Sequence, residues 1–375
     1  MHLRSIALLG CLAGGSCAVS PAREFEESLS TIRAVGAEGQ GNAAAAEAWR
    51  KLVGRGPEAV LPTLAAFDGA TPRAVNWLRS AVDAIAEKQA PEAAALEAFV
   101  RETRHDGGAR RLAYEWLVRV DAGAPDRLLP GMLDDPGQEL RRDAVARAMA
   151  DADKVMKSGD KTAAADAYRR VFSHARDRDQ VDAIAKVFKG LGVAVDVQAH
   201  YGVIPRWTLI TTFDNAEMKG FDVAYPPEKR VDLKAELEGK GGRRIRVIAG
   251  ATADPAGKLD LNETLGKEMS AVAYAFAAVE SEVERPIEVR VGTNNAVKIF
   301  LNGEMVFFRN EYHHGMRMDQ YVGRGRLRKG RNEVLLKICQ NEQKDDWAQG
   351  WSFQGRLCDA IGTAVPVRLV TEGKP

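Results

Sequence analysis

Residues 297–308 read Val-Lys-Ile-Phe-Leu-Asn-Gly-Glu-Met-Val-Phe-Phe, two apolar runs on either side of an Asn-Gly pair. A tight two-residue hairpin turn needs positive φ at both central positions, which Asn and Gly tolerate. Before the pair, Val297, Ile299 and Leu301 recur at every second position, which is the period of a half-buried strand. The stretch therefore predicts an antiparallel hairpin that turns at residues 302–303.

The same alternation continues on both sides of this hairpin. Other apolar triplets share one face of a predicted strand, at Ile287, Val289 and Val291 and at Val334, Leu336 and Ile338. Many short strands separated by turns are typical of a fold made of two packed sheets. We therefore predict an antiparallel β-sandwich of the jelly-roll type over residues 204–375.

Residues 24–195 carry a helical pattern instead. Apolar residues recur three and four positions apart, as at Leu78, Val82 and Ile85, and this spacing marks a helix with one buried stripe. Clusters of Gly and Pro divide the stretch into short segments. The whole chain is therefore predicted to be a multidomain α + β protein, with helices first and strands second.

A repeat runs through the helical half. The motif Pro-Glu-Ala at residues 57–59 recurs at residues 91–93, and a Pro-Asp pair follows after the same interval at residues 125–126. A helix pair repeated on this scale cannot bury its apolar face alone and has to stack on its neighbours. The sequence therefore predicts an α-solenoid of helical repeats, with a plain helical bundle as the alternative.

Two segments of this half resemble HEAT repeats. Residues 57–64 read Pro-Glu-Ala-Val-Leu-Pro-Thr-Leu, and residues 141–145 read Arg-Arg-Asp-Ala-Val. The resemblance spans roughly residues 40–155, and a further helix pair over residues 155–190 contains a stretch similar to a tetratricopeptide helix. HEAT repeats imply a protein-binding or spacer role and no catalytic activity.

The strand-rich half is similar to the galactose-binding-like domains of secreted bacterial proteins. The segments that carry this resemblance are residues 207–228, 291–304, 327–338 and 351–357. Such domains accompany glycoside hydrolases, so the resemblance implies a jelly-roll fold that binds sugar. The matching positions lie at turns and in the core, so they indicate a fold more than a ligand.

The beginning of the chain resembles an export signal. A basic start at residues 1–4, an apolar segment at residues 6–13 and small residues up to Ala18 are the three parts of a secretory signal peptide, predicted over residues 1–20. The Leu-Leu-Gly-Cys sequence that ends at Cys11 also resembles a bacterial lipobox, in which that cysteine is lipidated. These patterns predict a protein of the periplasm, cell envelope or extracellular space; a lipid anchor and a disordered start are the alternatives to a plain signal peptide.

Aromatic rings supply the first candidate ligand contacts, because their faces stack on the C–H faces of sugars. The candidates for ligand binding are Trp347, Tyr312, Trp351, Asn294 and Asn295. Trp347 lies in a polar loop and is expected to be exposed. Trp351 and also Trp207 have a second interpretation, as core residues.

Two sets of residues are candidate metal ligands. Asp214, Asn215 and Asp222, with loop carbonyls, are candidates for a structural calcium ion, which takes oxygen ligands; capping of turns by these side chains is the alternative. Side chains that suit a transition metal lie close together in the sequence, at Glu311, His313, His314 and Asp319. Adjacent histidines on a strand point to opposite faces, so an exposed loop is the alternative there. No cofactor other than the calcium is expected.

Composition and cysteine usage exclude several classes of protein. The 53 Lys and Arg residues balance 52 Asp and Glu residues, for a net charge of +1, which argues against nucleic-acid binding. Four cysteines are too few for a disulfide scaffold, and the absence of an internal apolar run of about 20 residues argues against a membrane span. Cys339 and Cys358 fall in separate predicted strands, so buried free thiols are favoured over a disulfide between them.

The sequence contains no Gly-x-Ser-x-Gly, His-Glu-x-x-His, phosphate-binding loop or Cys-x-x-Cys motif. We therefore expect an exported, non-catalytic binding protein, whose helices hold a protein partner and whose sandwich holds a glycan or cell-surface component. One alternative is a structural scaffold of the envelope that binds no sugar. Another is an accessory or divergent glycoside hydrolase that uses the carboxylates of Glu280 and Glu282.

Overall fold

The computed structural model describes residues Ser20–Val370. Helices fill the N-terminal half and antiparallel sheets fill the C-terminal half, so the chain is an α + β protein, as its sequence patterns predicted. The predicted signal peptide, with Cys11, lies outside the described residues. The described chain forms two compact units that divide between Arg141 and Arg142. Within residues 20–370, no helix is both long enough and apolar enough to cross a membrane.

The first unit consists of short helices, three of which (Pro21–Arg33, Pro72–Ala86 and Gly107–Val120) begin after a residue whose side chain caps the helix. Thr71 accepts a hydrogen bond from the backbone amide of Ala74 at 3.3 Å, and Asp106 caps the helix that follows it. The helices are α1 (Pro21–Arg33), α2 (Asn42–Val53), α3 (Val60–Ala65), α4 (Pro72–Ala86), α5 (Ala93–Arg101), α6 (Gly107–Val120) and α7 (Ala124–Leu128). The next helix, α8 (Gln138–Lys157), contains the division between the two units.

Neighbouring helices of this unit bury the predicted apolar stripes. Leu78 and Val82 of α4 are fully buried, and Ile85 is nearly so. Helix α1 packs on α2, α2 and α3 pack on α4, and α5 packs on α6. Arg110 is buried as well and donates two hydrogen bonds, of 2.8 and 2.7 Å, to the carboxylate of Asp135. This unit therefore has a core of its own that contains one ion pair.

Polar contacts in the first unit join residues that lie about one helix pair apart in the sequence. Some hydrogen-bonded pairs of this unit lie 25, 30, 37 and 38 residues apart. Six pairs fall in a narrower range, namely Arg33–Asp68, Trp49–Ser80, Arg55–Pro21, Lys88–Val53, Trp116–Asp83 and Arg79–Glu115. The separations of these six run from 31 to 36 residues. This range brackets the interval at which the proline motif recurs in the sequence.

Three helices precede the strands of the second unit, namely α9 (Lys161–His174), α10 (Arg178–Leu191) and α11 (Val197–Tyr201). His200 of α11 stacks on Phe172 of α9 with ring centroids 4.0 Å apart. Burial lowers the pKa of His200 although its hydrogen bond to the Ala175 carbonyl opposes this, so the ring is neutral and donates through Nε2 at 2.8 Å. Arg176 reaches Thr363 Oγ1 at 3.1 Å. These helices therefore pack with the strands, although the sequence pattern changes only near residue 200.

Every strand pair in the described chain is antiparallel. The strands are β1 (Arg206–Asp214), β2 (Arg246–Ala251), β3 (Leu259–Asp260), β4 (Ala271–Ser281), β5 (Arg285–Thr293), β6 (Ala296–Leu301), β7 (Glu304–Arg309), β8 (Tyr321–Leu327), β9 (Gly330–Gln340), β10 (Ser352–Cys358) and β11 (Arg368–Val370), with α12 (Pro226–Lys229) and α13 (Leu261–Leu265) between them. Seven strands form one sheet in the order β2-β1-β4-β9-β6-β7, with β11 paired to β4, and four form a second sheet in the order β3-β10-β5-β8.

The hairpin prediction is confirmed. Strands β6 and β7 pair around Asn302 and Gly303, whose φ angles are +54° and +82°. These positive angles are the conformation for which an Asn-Gly pair is suited. The turn therefore fixes the pairing of β6 with β7 as the sequence indicated.

The two sheets face each other across one hydrophobic core. Alternate residues of strands from both sheets fill it, among them Val289, Ile299, Leu336 and Phe353, all fully buried. A second apolar cluster lies on the other face of the seven-stranded sheet, covered by residues 216–245. The larger sheet is therefore buried on both faces over part of its area.

Candidate functional site

Three loops lie together at one end of the paired sheets. They join β5 to β6, β7 to β8 and β9 to β10, and they comprise residues 294–295, 310–320 and 341–351. Strand pairing brings them together, because the end of β5 pairs with the start of β10 and the start of β6 pairs with the end of β9. All five predicted ligand-binding residues lie in these loops.

The two asparagines hold the loops in place. Asn295 is fully buried, and its Nδ2 donates to Gln340 Oε1 at 3.0 Å and to the Gly350 carbonyl at 3.2 Å. Asn294 Nδ2 donates to the same Gly350 carbonyl at 3.2 Å, and its own carbonyl accepts from the backbone amide of His313 at 2.9 Å. Asn295 therefore holds the loops from inside, and its amide has no access to solvent in this conformation, so ligand contact by Asn295 stays a prediction that the structure does not support.

Trp347 is the exposed aromatic residue of the site. Its side chain lies in a short helical turn at residues 346–348 and is 68% exposed. The indole contacts the imidazole of His313 edge to face, with ring centroids 5.3 Å apart. This contact gives the indole a supporting neighbour and leaves most of its surface available to a ligand.

Tyr312 supports the loop from inside. It is half-buried, and its Oη accepts a hydrogen bond from Asn215 Nδ2 at 3.2 Å. Burial raises the pKa of Tyr312, so its hydroxyl remains protonated. Tyr312 thereby connects the β7–β8 loop to Asn215 and presents less ring surface than Trp347 does.

A cleft of about 640 Å³ lies along the same β7–β8 loop. Its lining includes Phe307, Arg309, Glu311, His314, Arg317 and Tyr321. The rings of Phe307 and Tyr321 stack with centroids 5.2 Å apart, which gives the cleft one aromatic wall. Sites for small ligands commonly have volumes of about 300–1,000 Å³ and combine apolar walls with a few polar groups.

The hydrogen-bond network fixes the tautomer of His314. Gln320 Oε1 accepts from the backbone amides of Thr293 at 3.2 Å and Arg317 at 3.4 Å, so its Nε2 is the donor that faces His314 Nδ1 at 2.9 Å. With Nδ1 accepting, the proton of the imidazole lies on Nε2, which donates to Tyr321 Oη at 3.0 Å. Both ring nitrogens of His314 are therefore engaged, which fixes the orientation of the imidazole in the cleft.

The β7–β8 loop is anchored at its far end by a buried ion cluster. Asp319 accepts two hydrogen bonds of 2.6 Å from Arg356 and one of 2.8 Å from Arg290. Burial alone would raise the pKa of Asp319, but the hydrogen bonds and charges of the two arginines outweigh it and hold that pKa below its usual range. Arg290 also pairs with Glu288 at 2.7 Å. This cluster holds the cleft-lining loop against the four-stranded sheet.

Two of the predicted aromatic positions lie in the core. Trp351 is fully buried and Trp207 is 3% exposed, and both belong to the core between the sheets. The ring face of Trp351 is therefore covered by protein, and this burial does not favour its predicted contact with a ligand. The second interpretation, core packing, describes both residues.

The predicted calcium ligands differ in burial and in hydrogen-bond partners. Asn215 is fully buried, and its amide nitrogen donates to Tyr312 and, at 2.9 Å, to the Gln340 carbonyl, whereas Asp214 and Asp222 are exposed. Calcium takes six to eight oxygen ligands. Between residues 20 and 370, no group of three or more His, Cys, Asp or Glu side chains is placed to hold a metal ion. Calcium binding by Asp214, Asn215 and Asp222 stays a prediction.

The structure also separates the two histidines. His313 faces Trp347, and His314 faces the cleft. The carboxylates near them are engaged elsewhere, since Glu311 pairs with Arg309 at 2.5 Å and Asp319 is held by arginines. The segment is a loop in which both histidines are half-buried and face different neighbours, and the structure offers no support for a shared metal site there.

Cys339 and Cys358 are free, buried thiols. They lie in different sheets, Cys339 in the cluster under residues 216–245 and Cys358 beside the Glu288 carbonyl. Burial raises the pKa of Cys339 to about 12 and that of Cys358 to about 11, so both are protonated and unreactive at neutral pH.

Sequence reasoning missed Arg317, Gln320 and Tyr321. Gln320 and Tyr321 hold His314, and Arg317 lies at the rim of the cleft. No motif marks them, because they come together only through the conformation of one long loop. His313 and Asp319 of this loop have positive φ angles of +60° and +59°, but neither has a sequence signature that predicts this conformation.

Comparison with known proteins identifies no family. No protein-family model matches this chain, and no curated protein matches it. A crystal structure of the GH31 alpha-xylosidase from Xanthomonas citri matches 31% of this chain and 15% of its own chain, at 10% sequence identity and a TM-score of 0.19. A likeness this slight carries no inference about fold or activity.

Proposed function

We propose that the second unit binds a glycan at the loop end of its paired sheets, without catalysis. The observation that carries this proposal is the 68% exposure of Trp347 on the loop cluster that also borders the 640 Å³ cleft. The β7–β8 loop connects the two features, because His313 contacts the indole and its neighbour His314 lines the cleft.

This combination suits a sugar for a physical reason. One face of a pyranose ring is apolar and stacks on an aromatic side chain, while its hydroxyl groups need hydrogen-bond partners. Trp347 supplies the exposed ring, and the cleft supplies charged and polar groups at Arg309, Glu311 and Arg317. An aromatic anchor surrounded by polar contacts is the usual arrangement of a binding hot spot.

The fold type is part of the proposal. A jelly-roll sandwich of the galactose-binding-like kind is supported by two antiparallel sheets around one core and by the confirmed Asn-Gly hairpin. Binding at loops, on a scaffold of buried strands, is how such scaffolds commonly carry function. We further propose that the chain is exported to the periplasm, cell envelope or exterior, with Cys11 as the residue that a lipid would modify.

For the first unit we propose a HEAT-like solenoid that binds a protein partner. The support is the series of hydrogen bonds between residues 31 to 36 positions apart, which stacked helix pairs would produce. Solenoids present extended surfaces that suit protein partners. A pull-down with the full chain, compared with a variant that alters exposed residues of α4 alone, would test this role.

A structural scaffold is the second candidate. Its support is that three of the five predicted ligand residues hold the fold instead: Trp351 in the core, Asn295 in a buried network and Asn294 on the Gly350 carbonyl. A screen of the full chain against a glycan panel separates the two proposals. Saturable binding that Trp347→Ala abolishes supports glycan recognition, and the absence of binding to any glycan supports the scaffold.

A further inference from the structure

The two arginines of the cleft differ in their partners. Arg309 pairs with Glu311 at 2.5 Å, so that its charge is compensated inside the protein. Arg317 is exposed, and among residues 20–370 no carboxylate lies within salt-bridge distance of its guanidinium. The cleft therefore keeps one positive charge that no described side chain neutralises.

A hydroxyl donor lies in the same cleft. Tyr321 is 8% exposed, and its Oη accepts the proton of His314 Nε2. Gln320 fixes the tautomer of His314, so Tyr321 Oη is always the acceptor in this hydrogen bond. The phenolic proton of Tyr321 is therefore available to a different acceptor. No acceptor for that proton occurs among the described residues.

A guanidinium and a hydroxyl donor on one cleft suit an anionic oxygen ligand. Arg binds carboxylates through two parallel N–H···O bonds, which gives both strength and orientation. The neighbouring aromatic wall of Phe307 and Tyr321 suits the apolar face of a sugar ring. A carboxylate attached to a pyranose combines these two properties in one residue.

We propose that this cleft binds a hexuronate residue of an acidic glycan, with Arg317 pairing with its carboxylate and Tyr321 donating to one of its oxygens. The inference rests on the proposed glycan-binding function and names the substrate class for the same site. Trp347, on the other side of the loop, then stacks on an adjoining sugar.

The test uses calorimetric titration of the full chain with oligosaccharides of galacturonate, of mannuronate and guluronate, and of glucuronate with N-acetylglucosamine. Each is compared with its carboxyl-reduced counterpart, which keeps the backbone and removes the charge. We expect at least one acidic oligosaccharide to bind roughly tenfold more tightly than its reduced form, because a charge-assisted hydrogen bond is stronger than a neutral one. The preference should weaken as salt is raised.

Arg317→Gln should reduce this preference to about twofold while binding of the neutral form persists. Arg246→Gln is the matched control, because Arg246 is also an exposed arginine. It lies in β2, at the edge of the seven-stranded sheet opposite to β7, which borders the cleft. Tyr321→Phe, which removes only the hydroxyl, should weaken acidic binding as well.

Equal binding of acidic and reduced forms would overturn the hexuronate assignment and leave the glycan-binding proposal standing. If Arg317→Gln keeps the full preference for the acidic over the reduced form, Arg317 does not bind the carboxylate. If only sulfated glycans bind, the ligand group is not a carboxylate. No binding to any oligosaccharide would overturn both proposals together.

Discussion

The indole of Trp347 and the imidazole of His313 meet edge to face, with centroids 5.3 Å apart and ring planes inclined by 78°. His313 is itself fixed, since its backbone amide donates to the Asn294 carbonyl at 2.9 Å. An exposed aromatic side chain normally samples several rotamers, and a neighbouring ring reduces the entropy lost on binding. The contact therefore restricts the indole of Trp347, and Asn294 is the residue that positions His313 against it. Under the proposed function, this restriction would lower the entropic cost of binding a ligand.

The same substitution at the two tryptophans of the β9–β10 loop should change the free energy of unfolding by very different amounts. Trp347→Ala removes an exposed ring and should change the free energy of unfolding by less than about 0.5 kcal/mol. Trp351→Ala empties a fully buried position and should cost about 3–5 kcal/mol. Denaturant titration of both variants checks this, and equal costs would contradict the assigned burial.

Lys337 should contribute strongly to stability although it is charged. It is fully buried, and its Nζ donates to Glu228 Oε1 at 2.7 Å and to the carbonyls of Phe221 and Val223. Burial lowers the pKa of Lys337, partly opposed by the hydrogen bond to Glu228. Lys337→Met leaves the Glu228 carboxylate and two carbonyls without this donor, and should cost about 3–5 kcal/mol by denaturant unfolding.

Lys298→Met is the matched control for Lys337. Lys298 lies on the same face of the sheet but is partly exposed over the Phe221 ring, so its loss should cost less than about 1 kcal/mol. The double variant Lys337→Met, Glu228→Gln should regain part of the stability, because the unpaired carboxylate is gone. Similar costs for the two lysines would contradict the anchoring role of Lys337.

Acid should weaken the anchor of the β7–β8 loop. The pKa of Asp319 is lower in the folded chain than its ordinary value of 3.8. Its carboxylate therefore contributes to the free energy of unfolding above about pH 4, and this contribution is lost as the pH falls through the folded pKa. Asp319→Asn should cost about 3 kcal/mol at pH 7, since Arg356 is buried, and the difference from the parent chain should shrink below pH 4.

Unfolding curves between pH 2 and pH 7 measure that difference. Asp222→Asn is the control, because Asp222 is exposed and makes no ion pair among the described residues. If the loss of unfolding free energy caused by Asp319→Asn stays constant down to pH 2, the charged carboxylate of Asp319 does not stabilise this loop.

Both buried cysteines should be inert in the folded chain. Because burial raises the pKa of Cys339 to about 12 and of Cys358 to about 11, almost no thiolate is present at pH 7.5. In a chain carrying Cys11→Ser and Cys17→Ser, a thiol reagent should label two groups in denaturant without reductant and none within minutes in native buffer. Absence of thiols in denaturant would reveal a disulfide instead.

Local patterns were sufficient to predict the strands and one exposed ring. Alternation placed Val297, Ile299 and Leu301 on a core face, and the Asn-Gly pair set the hairpin. The polar residues that precede Trp347, at positions 343–346, predicted its exposure, and the side chain is exposed. Each of these features depends on residues close together in the sequence.

The burial of Lys337 and of Asn295 could not be predicted, because it depends on segments that are distant in the sequence. Lys337 alternates with core residues and would be expected to face solvent, yet residues 221–228 cover it. Asn295 is buried because Gln340 and Gly350, more than forty residues away in the sequence, surround its amide. Neither partner can be identified by spacing or periodicity, since contacts of this kind follow from how the loops pack.

The measurement that tests the account most directly is a titration of the full chain, with and without chelator, against glycans that a polysaccharide panel selects. The account predicts saturable binding, unaffected by the chelator, that Trp347→Ala weakens tenfold or more. Phe308→Ala is the control, because Phe308 is another exposed aromatic residue, at 58%, and does not line the cleft; it should bind as the parent does. No binding to any glycan, or equal binding by Trp347→Ala, would contradict the proposal that this site recognises sugar.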